Sequence, residues 1–429
     1  MSMAEPRVLV RVDAGMGIGH GHLVRSLAVV RTLTSRGVHV TVATRAQGGH
    51  VEAMITAAGA HQVALPAGDA GENAIGRVWP AERQEADVRL VFDLVGRGWD
   101  AVVVDHYRLD AAWESVAAER GGRLVVIDDL ANRAHRADVL VDHNWYGSHT
   151  SQRYRELVDP STDLLLGPRY ALLQSDYLCG REHGPVVHPP RRVVVSYGGT
   201  DAGGQSARAV DALDVMQGAE VDVVVGSAAA VTEDLVAATA RRGARLHVEL
   251  PSLAPLYARA DLALGASGTA TWERLRLGVP ALVTTVGEGQ SGVTRALHEA
   301  GLTRWIGTAA DATVDIYRSA LRDYLDDGPM DIPALVDGYG AVRVGFAVVP
   351  PHSGELSMRD ALPQDAAAFV TAGGAGIGDD EGVTAWRRRD EWFGTQASGA
   401  VQIVELAGVP VGVVGGPGGS GRVLDSYVS

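Results

Sequence analysis

VLVRVDAGMGIGHGHLVRSL, residues 8–27, is a short β-branched run, a loop with glycine at 15, 17, 19 and 21, and the start of an amphipathic stretch. Glycine lets a backbone approach a ligand closely and take positive φ. The helix that follows aims its N–H groups and its dipole at the same point. The spacing is not the dinucleotide fingerprint G-x-G-x-x-G. Counting from Gly15 puts His20 where the third glycine belongs, and counting from Gly17 puts His22 there. The next strand ends in Ala43-Thr44-Arg45 without the ribose-binding acid that a NAD site carries. His22 stands in the first turn of the helix, where the dipole favours the neutral imidazole, and is the candidate general base. The plainer alternative is a packed or capping histidine. Gly19 and Gly21 flank His20, which lines a pocket or merely fills a slot. Asp13 ends the strand and either orients His22 or a substrate hydroxyl, or caps the loop.

Outward from this loop, strand and helix alternate. The runs VHVTVAT (38–44), HQVALP (61–66), AVVVDH (101–106), RLVVIDD (123–129), VLVDHN (139–144) and LLLGP (164–168) are apolar almost throughout. Strands of that kind are buried on both faces, as in a parallel sheet covered by helices. HLVRSLAVVRTLTSRG has apolar residues at helical spacing and Gly37 as its C-cap. The polar, proline-rich HGPVVHPPRR (183–192) reads as a linker. Alternation then resumes with RRVVVSYGG, VDVVVGS, RLHVEL, DLALGAS, PALVTTV and TRWIGT. The expected architecture is α/β: two doubly wound Rossmann-like domains in the GT-B arrangement, residues 1–180 and 190–345, with ligands at the carboxyl ends of the strands between them. An α+β fragment, 355–429, follows, with a hairpin around Ala407-Gly408.

Other candidate positions end strands in the same way. Asp105, His106 and Tyr107 close AVVVDHY, and Tyr107 is placed to bond a sugar or a water; Asp105 reads equally well as a cap. Asp128-Asp129 and Asn144 end the next two runs, without a ligand set at metal spacing. SYGGTDAGG places Gly198, Gly199 and Thr200 after a strand as an amide nest suited to diphosphate, or as a tight turn. In LALGASGTATWERLRLGVPALVTTVGEGQ, Ser267, Gly268 and Thr269 open a helix that carries Glu273, and Gln290 follows the next strand. Hydroxyls and amides there suit phosphate, and Glu273 suits ribose hydroxyls; the alternative is a capped structural helix.

Composition narrows the classes. The 429 residues carry a formal charge of −14, with 46% hydrophobic and 21% charged residues. This is an ordinary globular balance, and not that of a general nucleic-acid binder, which needs a basic face. There is no lysine, so a Walker-type phosphate lysine and a lysine Schiff base are excluded. The single cysteine, Cys179, makes no internal disulfide. No membrane span and no leader are read, and a cytoplasmic location is expected.

In order and spacing, RVDAGMGIGHGHLVRSLAV, VVVDHY, VIDDLANRAHRADVLVDHNWY, GPRYALLQSDY, SYGGTD and the Ser-Gly-Thr…Glu segment resemble the UDP-2,4-diacetamido-2,4,6-trideoxy-β-L-altropyranose hydrolases of pseudaminic acid biosynthesis. Spore-coat polysaccharide proteins and the glycosyltransferase of peptidoglycan lipid II synthesis are relatives of that family. The resemblance spans residues 7–310. It implies a hydrolase that releases UDP by water attack at the anomeric carbon, with His22 as catalytic histidine, Tyr107 as the tyrosine of its D-H-Y motif and Glu273 as the ribose acid. Tyr107 and Asn144 would hold the water. No cofactor and no metal are implied. MRDALPQDA (358–366), VQIVELAGVPVGVVGG and LDSYVS resemble the opening of a GNAT-type N-acetyltransferase. The sequence stops before that family's pyrophosphate loop, so no acetyl-CoA binding is expected, and the cut sheet edge is an expected place for association. A GT-B glycosyltransferase using a UDP-sugar is the runner-up, and an inactive sugar-nucleotide-binding protein is the third reading.

Overall fold

A computed structural model describes residues 5–14, 21–45, 49–66, 77–181, 185–201, 203–287 and 289–351, and the strand backbones 356–360, 402–406, 409–414 and 422–423. Gly15, Gly17, Gly19 and His20 lie outside the described residues, as do Ala361–Ala366 of the acetyltransferase-like opening and the run LDSYVS.

The chain divides into two compact units, Met1–Gln174 with Val336–Ser429, and Ser175–Leu335. In the first, β1 (Arg7–Val12), α1 (Gly21–Ser35), β2 (His39–Thr44), α2 (Gly49–Ala57), β3 (His61–Ala64), α3 (Ala81–Val95), β4 (Ala101–Asp105), α4 (Ala111–Ala118), β5 (Arg123–Ile127), β6 (Val139–Asp142) and β7 (Asp163–Leu166) follow in order. The strands form one parallel sheet, β3-β2-β1-β4-β5-β6-β7. Each expected strand run of this half is a strand. The order reverses between β1 and β4, the crevice where open α/β sheets bind ligands.

Parity sorts the two faces of this sheet. Val8, Val10 and Val12 share a core with Leu23, Leu27 and Val30 of α1, whose i, i+4, i+7 spacing makes one stripe. Leu9, Val102 and Val104 face the other way, into a core with Val88 and Phe92 of α3 and Trp113 of α4.

The second unit repeats the plan with β8 (Arg192–Ser196), α5 (Gln205–Ala212), β9 (Glu220–Val225), α6 (Glu233–Arg242), β10 (Arg245–Val248), α7 (Ala254–Tyr257), β11 (Leu262–Ala266), α8 (Ala270–Arg276), β12 (Ala281–Thr285), α9 (Gln290–Glu299), β13 (Arg304–Thr308) and α10 (Val314–Asp327). Its sheet is parallel, β10-β9-β8-β11-β12-β13. Here the reversal lies between β8 and β11, so the loops after these two strands stand at the equivalent crevice.

The division differs from the expected boundary at 345. The chain returns to the first unit at Val336, where α11 (Gly340–Val348) lies on α1 and on the backbone at Tyr170. A Cβ on Gly340 would stand 2.3 Å from the Ala171 carbonyl oxygen, so only glycine permits this approach. Arg343 fixes the crossing, bonding Asp337 at 2.9 and 2.5 Å and the Arg169 carbonyl at 2.8 Å. Beyond it, β14 (Leu356–Asp360), β15 (Gln402–Leu406), β16 (Val409–Val414) and β17 (Arg422–Val423) form an antiparallel sheet in chain order. Leu406 pairs with Val409, which closes the expected hairpin.

Candidate functional site

At the carboxyl ends of β1, β4, β5 and β6 the first unit gathers charged side chains that a core would normally exclude. Asp105, the last residue of β4, is buried and accepts from His22 Nδ1 at 2.5 Å, from Arg25 Nε and Nη2 at 2.7 and 2.6 Å, and from Ser26 Oγ at 3.0 Å. His22, Arg25 and Ser26 lie at i, i+3 and i+4 on α1, on one face of the helix. Burial disfavours the charged form of Asp105, but Arg25 and His22 outweigh it and hold the carboxyl far below its usual range. An ionised Asp105 accepts the Nδ1–H, and in that tautomer the lone pair of the imidazole sits on Nε2 of His22. Arg25 also donates to Asp129 at 2.6 Å. Asp129 is held below its ordinary value against burial by Arg25 and then His22.

Tyr107 packs edge-on against the His22 ring, with centroids 4.2 Å apart and planes at 84°. Burial and the Asp129 carboxylate push its phenol well above the ordinary value, so it is a neutral hydroxyl. The Asn144 side chain donates to the Asp129 carbonyl at 3.3 Å and its backbone N–H to Asp142 at 2.8 Å.

Asp13 does not orient His22. Sheet register pairs Val12 with Asp105, so these two side chains share the α1 face, and Asp13 falls on the opposite face with Arg11. There Asp13 pairs with Arg11 and accepts from His106 Nε2 at 2.9 Å and from the Arg45 N–H at 2.7 Å. His106 Nδ1 in turn accepts the Arg108 N–H at 3.1 Å, which assigns the Nε2–H tautomer. Burial holds His106 below its ordinary value, hence neutral. Arg11 and Arg45 both reach Asp87 of α3, and Trp113 donates to the same carboxylate at 2.9 Å.

In the second unit, β8 leads into Gly198, which takes φ +83°, and Gly199, against which the β9 loop packs so closely that a Cβ on Gly226 would stand 2.6 Å from the Gly199 Cα. Thr200 is exposed. Asp201 accepts the Ser206 N–H at 3.0 Å, so a carboxylate of the chain itself caps α5. After β11, Ser267 is buried and its hydroxyl makes no hydrogen bond among the described residues. Gly268 lies beside Gln290, whose Oε1 accepts from the N–H groups of Val286 at 3.0 Å and Gly287 at 3.3 Å. Thr269 precedes α8 in helical conformation. Glu273, half-buried, turns toward Tyr177; burial raises its carboxyl while Tyr177 and Arg274 work against that rise.

The structure therefore brings together His22 with Tyr107, and Gly268 with Gln290. Sequence reasoning overlooked three residues. Arg25 is readable from its i+3 spacing to His22. His143 repeats on β6 the Asp-His ending of β4, and burial, then Arg25, lowers it to about 4. Arg274 gives no signal beyond being a basic residue on an otherwise apolar helix face.

No family model matches the chain. It is 22% identical over 265 residues to the spore coat polysaccharide biosynthesis protein SpsG of Bacillus subtilis, covering 59% of this chain and 74% of that protein. Among solved structures it is similar to MurG of Acinetobacter baumannii, with a TM-score of 0.54, 14% identity, and 80% and 99% of the two chains covered. It is likewise similar to a UDP-glucosyltransferase of Polygonum tinctorium, with a TM-score of 0.53, 16% identity, and 81% and 98% covered. The fold is GT-B.

The comparisons correct one expectation. The structures that share the fold include a UDP-glucosyltransferase, and they do not support the hydrolase class. The motifs do not separate the two classes, because a base at the opening of a helix serves water and an alcohol alike. Among the described residues no helix is long and apolar enough to cross a membrane.

Proposed function

We propose that this chain is a glycosyltransferase that moves a sugar from UDP to a hydroxyl acceptor. The observation that carries the reading is the buried pair of His22 and Asp105 at the opening of α1, with Nδ1 fixed by the carboxylate at 2.5 Å. Nε2 of His22 takes the acceptor proton as the acceptor oxygen bonds the anomeric carbon. The bond from that carbon to the phosphate oxygen breaks, and its electron pair leaves with UDP. Asp105 then faces an imidazolium, the state a carboxylate stabilises best. Tyr107, packed against the ring, holds it in this pose and offers a neutral hydroxyl to the sugar. The loops after β8 and β11, with Gly198, Gly199, Thr200, Ser267, Gly268 and Thr269, are assigned to the diphosphate, and Glu273 and Gln290 to the nucleoside. Likeness to a polysaccharide biosynthesis protein and to a UDP-glucosyltransferase supports this class of donor.

The test follows labelled sugar from a panel of UDP-sugars onto a mixture of hydroxyl acceptors. Label reaches an acceptor with the wild type and not with His22→Asn, while UDP affinity is the same in both. Transfer by the variant at the wild-type rate would remove His22 from the reaction.

A further inference from the structure

The second unit buries an arginine that forms no ion pair among the described residues. Arg274 of α8 is 1% exposed. One terminal nitrogen donates to the Ala266 carbonyl at 2.8 Å and to the Thr271 hydroxyl at 3.1 Å. Among the described residues Nε and the other terminal nitrogen have no partner within hydrogen-bond geometry, Tyr257 being a further polar group that the guanidinium engages, and no carboxylate forms an ion pair with it. Its neighbour Glu273 acts on it only through space: that side chain turns toward Tyr177, and burial holds its carboxyl above its ordinary range against the pull of Tyr177 and Arg274. Tyr257 is the other titratable group coupled to the guanidinium, and burial raises its phenol. A buried cation without a contacting counter-ion is costly, so its persistence asks for an anion that the described residues do not place against it.

Its position says which anion. A Cβ on Gly265 would stand 2.9 Å from the Arg274 guanidinium and 2.4 Å from the Ser196 carbonyl oxygen. The cation therefore lies against the paired ends of β11 and β8, where Gly265 is in register with Ser196. Those strands run directly into Ser267–Thr269 and Gly198–Thr200. The unpartnered Ser267 hydroxyl is in the first of these loops. In a chain of net charge −14 without lysine, this is a protected source of positive potential at that crevice.

We infer that Arg274 is the fixed counter-charge for the diphosphate of the bound nucleotide, acting from beneath the two loops and not from the surface. The inference rests on the UDP reading above. Arg274→Met tests it, because it removes the charge and keeps most of the volume. Replacing a buried ion by an apolar residue is often neutral for folding, so the thermal midpoint without nucleotide should be unchanged or higher. UDP affinity should fall about tenfold or more, while the affinity for uridine, which has no phosphate, should stay within about twofold. Equal loss of both ligands, or undiminished UDP affinity, overturns the assignment.

Arg274→Lys decides the question if the methionine variant does not fold. A buried ammonium loses its proton easily, whereas arginine stays charged. UDP affinity of the lysine variant should therefore fall as pH rises from about 7 to about 10, with uridine unaffected and the wild type flat. A flat profile for the variant overturns the assignment. A wild type that binds no UDP overturns the nucleotide reading and this inference together. Wild-type binding matched by the methionine variant overturns the inference alone.

Discussion

Asp105→Asn is the substitution whose consequences the structure specifies most fully. The carboxylate is buried and accepts from His22, twice from Arg25 and from Ser26, at 2.5 to 3.0 Å. An amide of the same shape keeps one acceptor and turns the other into a donor, which faces either Arg25 or the His22 Nδ1 proton. Breaking a buried ion pair costs about 3–5 kcal/mol, and the lower end applies because Arg25 keeps Asp129 at 2.6 Å. The catalytic loss is separate. Without the anion, the Nδ1–H tautomer is no longer enforced and the imidazolium formed in the reaction has no partner. In a histidine–carboxylate pair of this type that is worth about 10³- to 10⁴-fold in turnover, or roughly 4–5 kcal/mol. The proposed nucleotide loops belong to the other unit, so UDP affinity should stay within about twofold. Initial rates of sugar transfer, calorimetry with UDP and a thermal melt on one preparation separate the three effects. A folded variant that turns over within about tenfold of the wild type would refute the role given to Asp105.

Two other perturbations have defined outcomes. Glu273→Ala should weaken UDP binding by about 1–3 kcal/mol, the cost of leaving a buried polar partner unmet, and unchanged affinity by calorimetry would remove Glu273 from the site. His135 is raised to about 9: burial opposes its charge, but Asp128 and Glu114, the latter 2.7 Å from Nδ1, overcome this. A raised histidine stabilises the fold fully below its unfolded value and loses that contribution as pH rises through the folded one. Stability should therefore decline between about pH 6.5 and 9, by up to about 3 kcal/mol. His135→Gln should flatten that part of the denaturation profile, and a wild-type profile that is already flat there would contradict the charge assignment.

How much of this was legible in the sequence follows from what kind of contact each residue makes. The strands of both sheets were readable because apolar runs such as AVVVD and VDVVV mark burial on two faces, a property of the segment itself. His22 and Tyr107 were readable because they end or open elements, where α/β sites are built. The partner of His22 was not. Asp13 and Asp105 both end strands, and only the pairing of β1 with β4 decides which one shares the α1 face. Parity across a sheet is a tertiary fact. The return of α11 to the first unit was hidden for a similar reason, since GAVRVGFAV carries apolar residues all round and does not say which core it joins. The choice between water and an acceptor alcohol was not legible, because the motifs mark a candidate base and candidate nucleotide loops that the two reactions would share.

One measurement addresses that choice most directly: the rate of UDP release from a UDP-sugar with and without a hydroxyl acceptor. A transferase built on His22 and Asp105 releases UDP in proportion to the acceptor supplied and only slowly without it. Rapid release without acceptor, unchanged when one is added, would contradict the account.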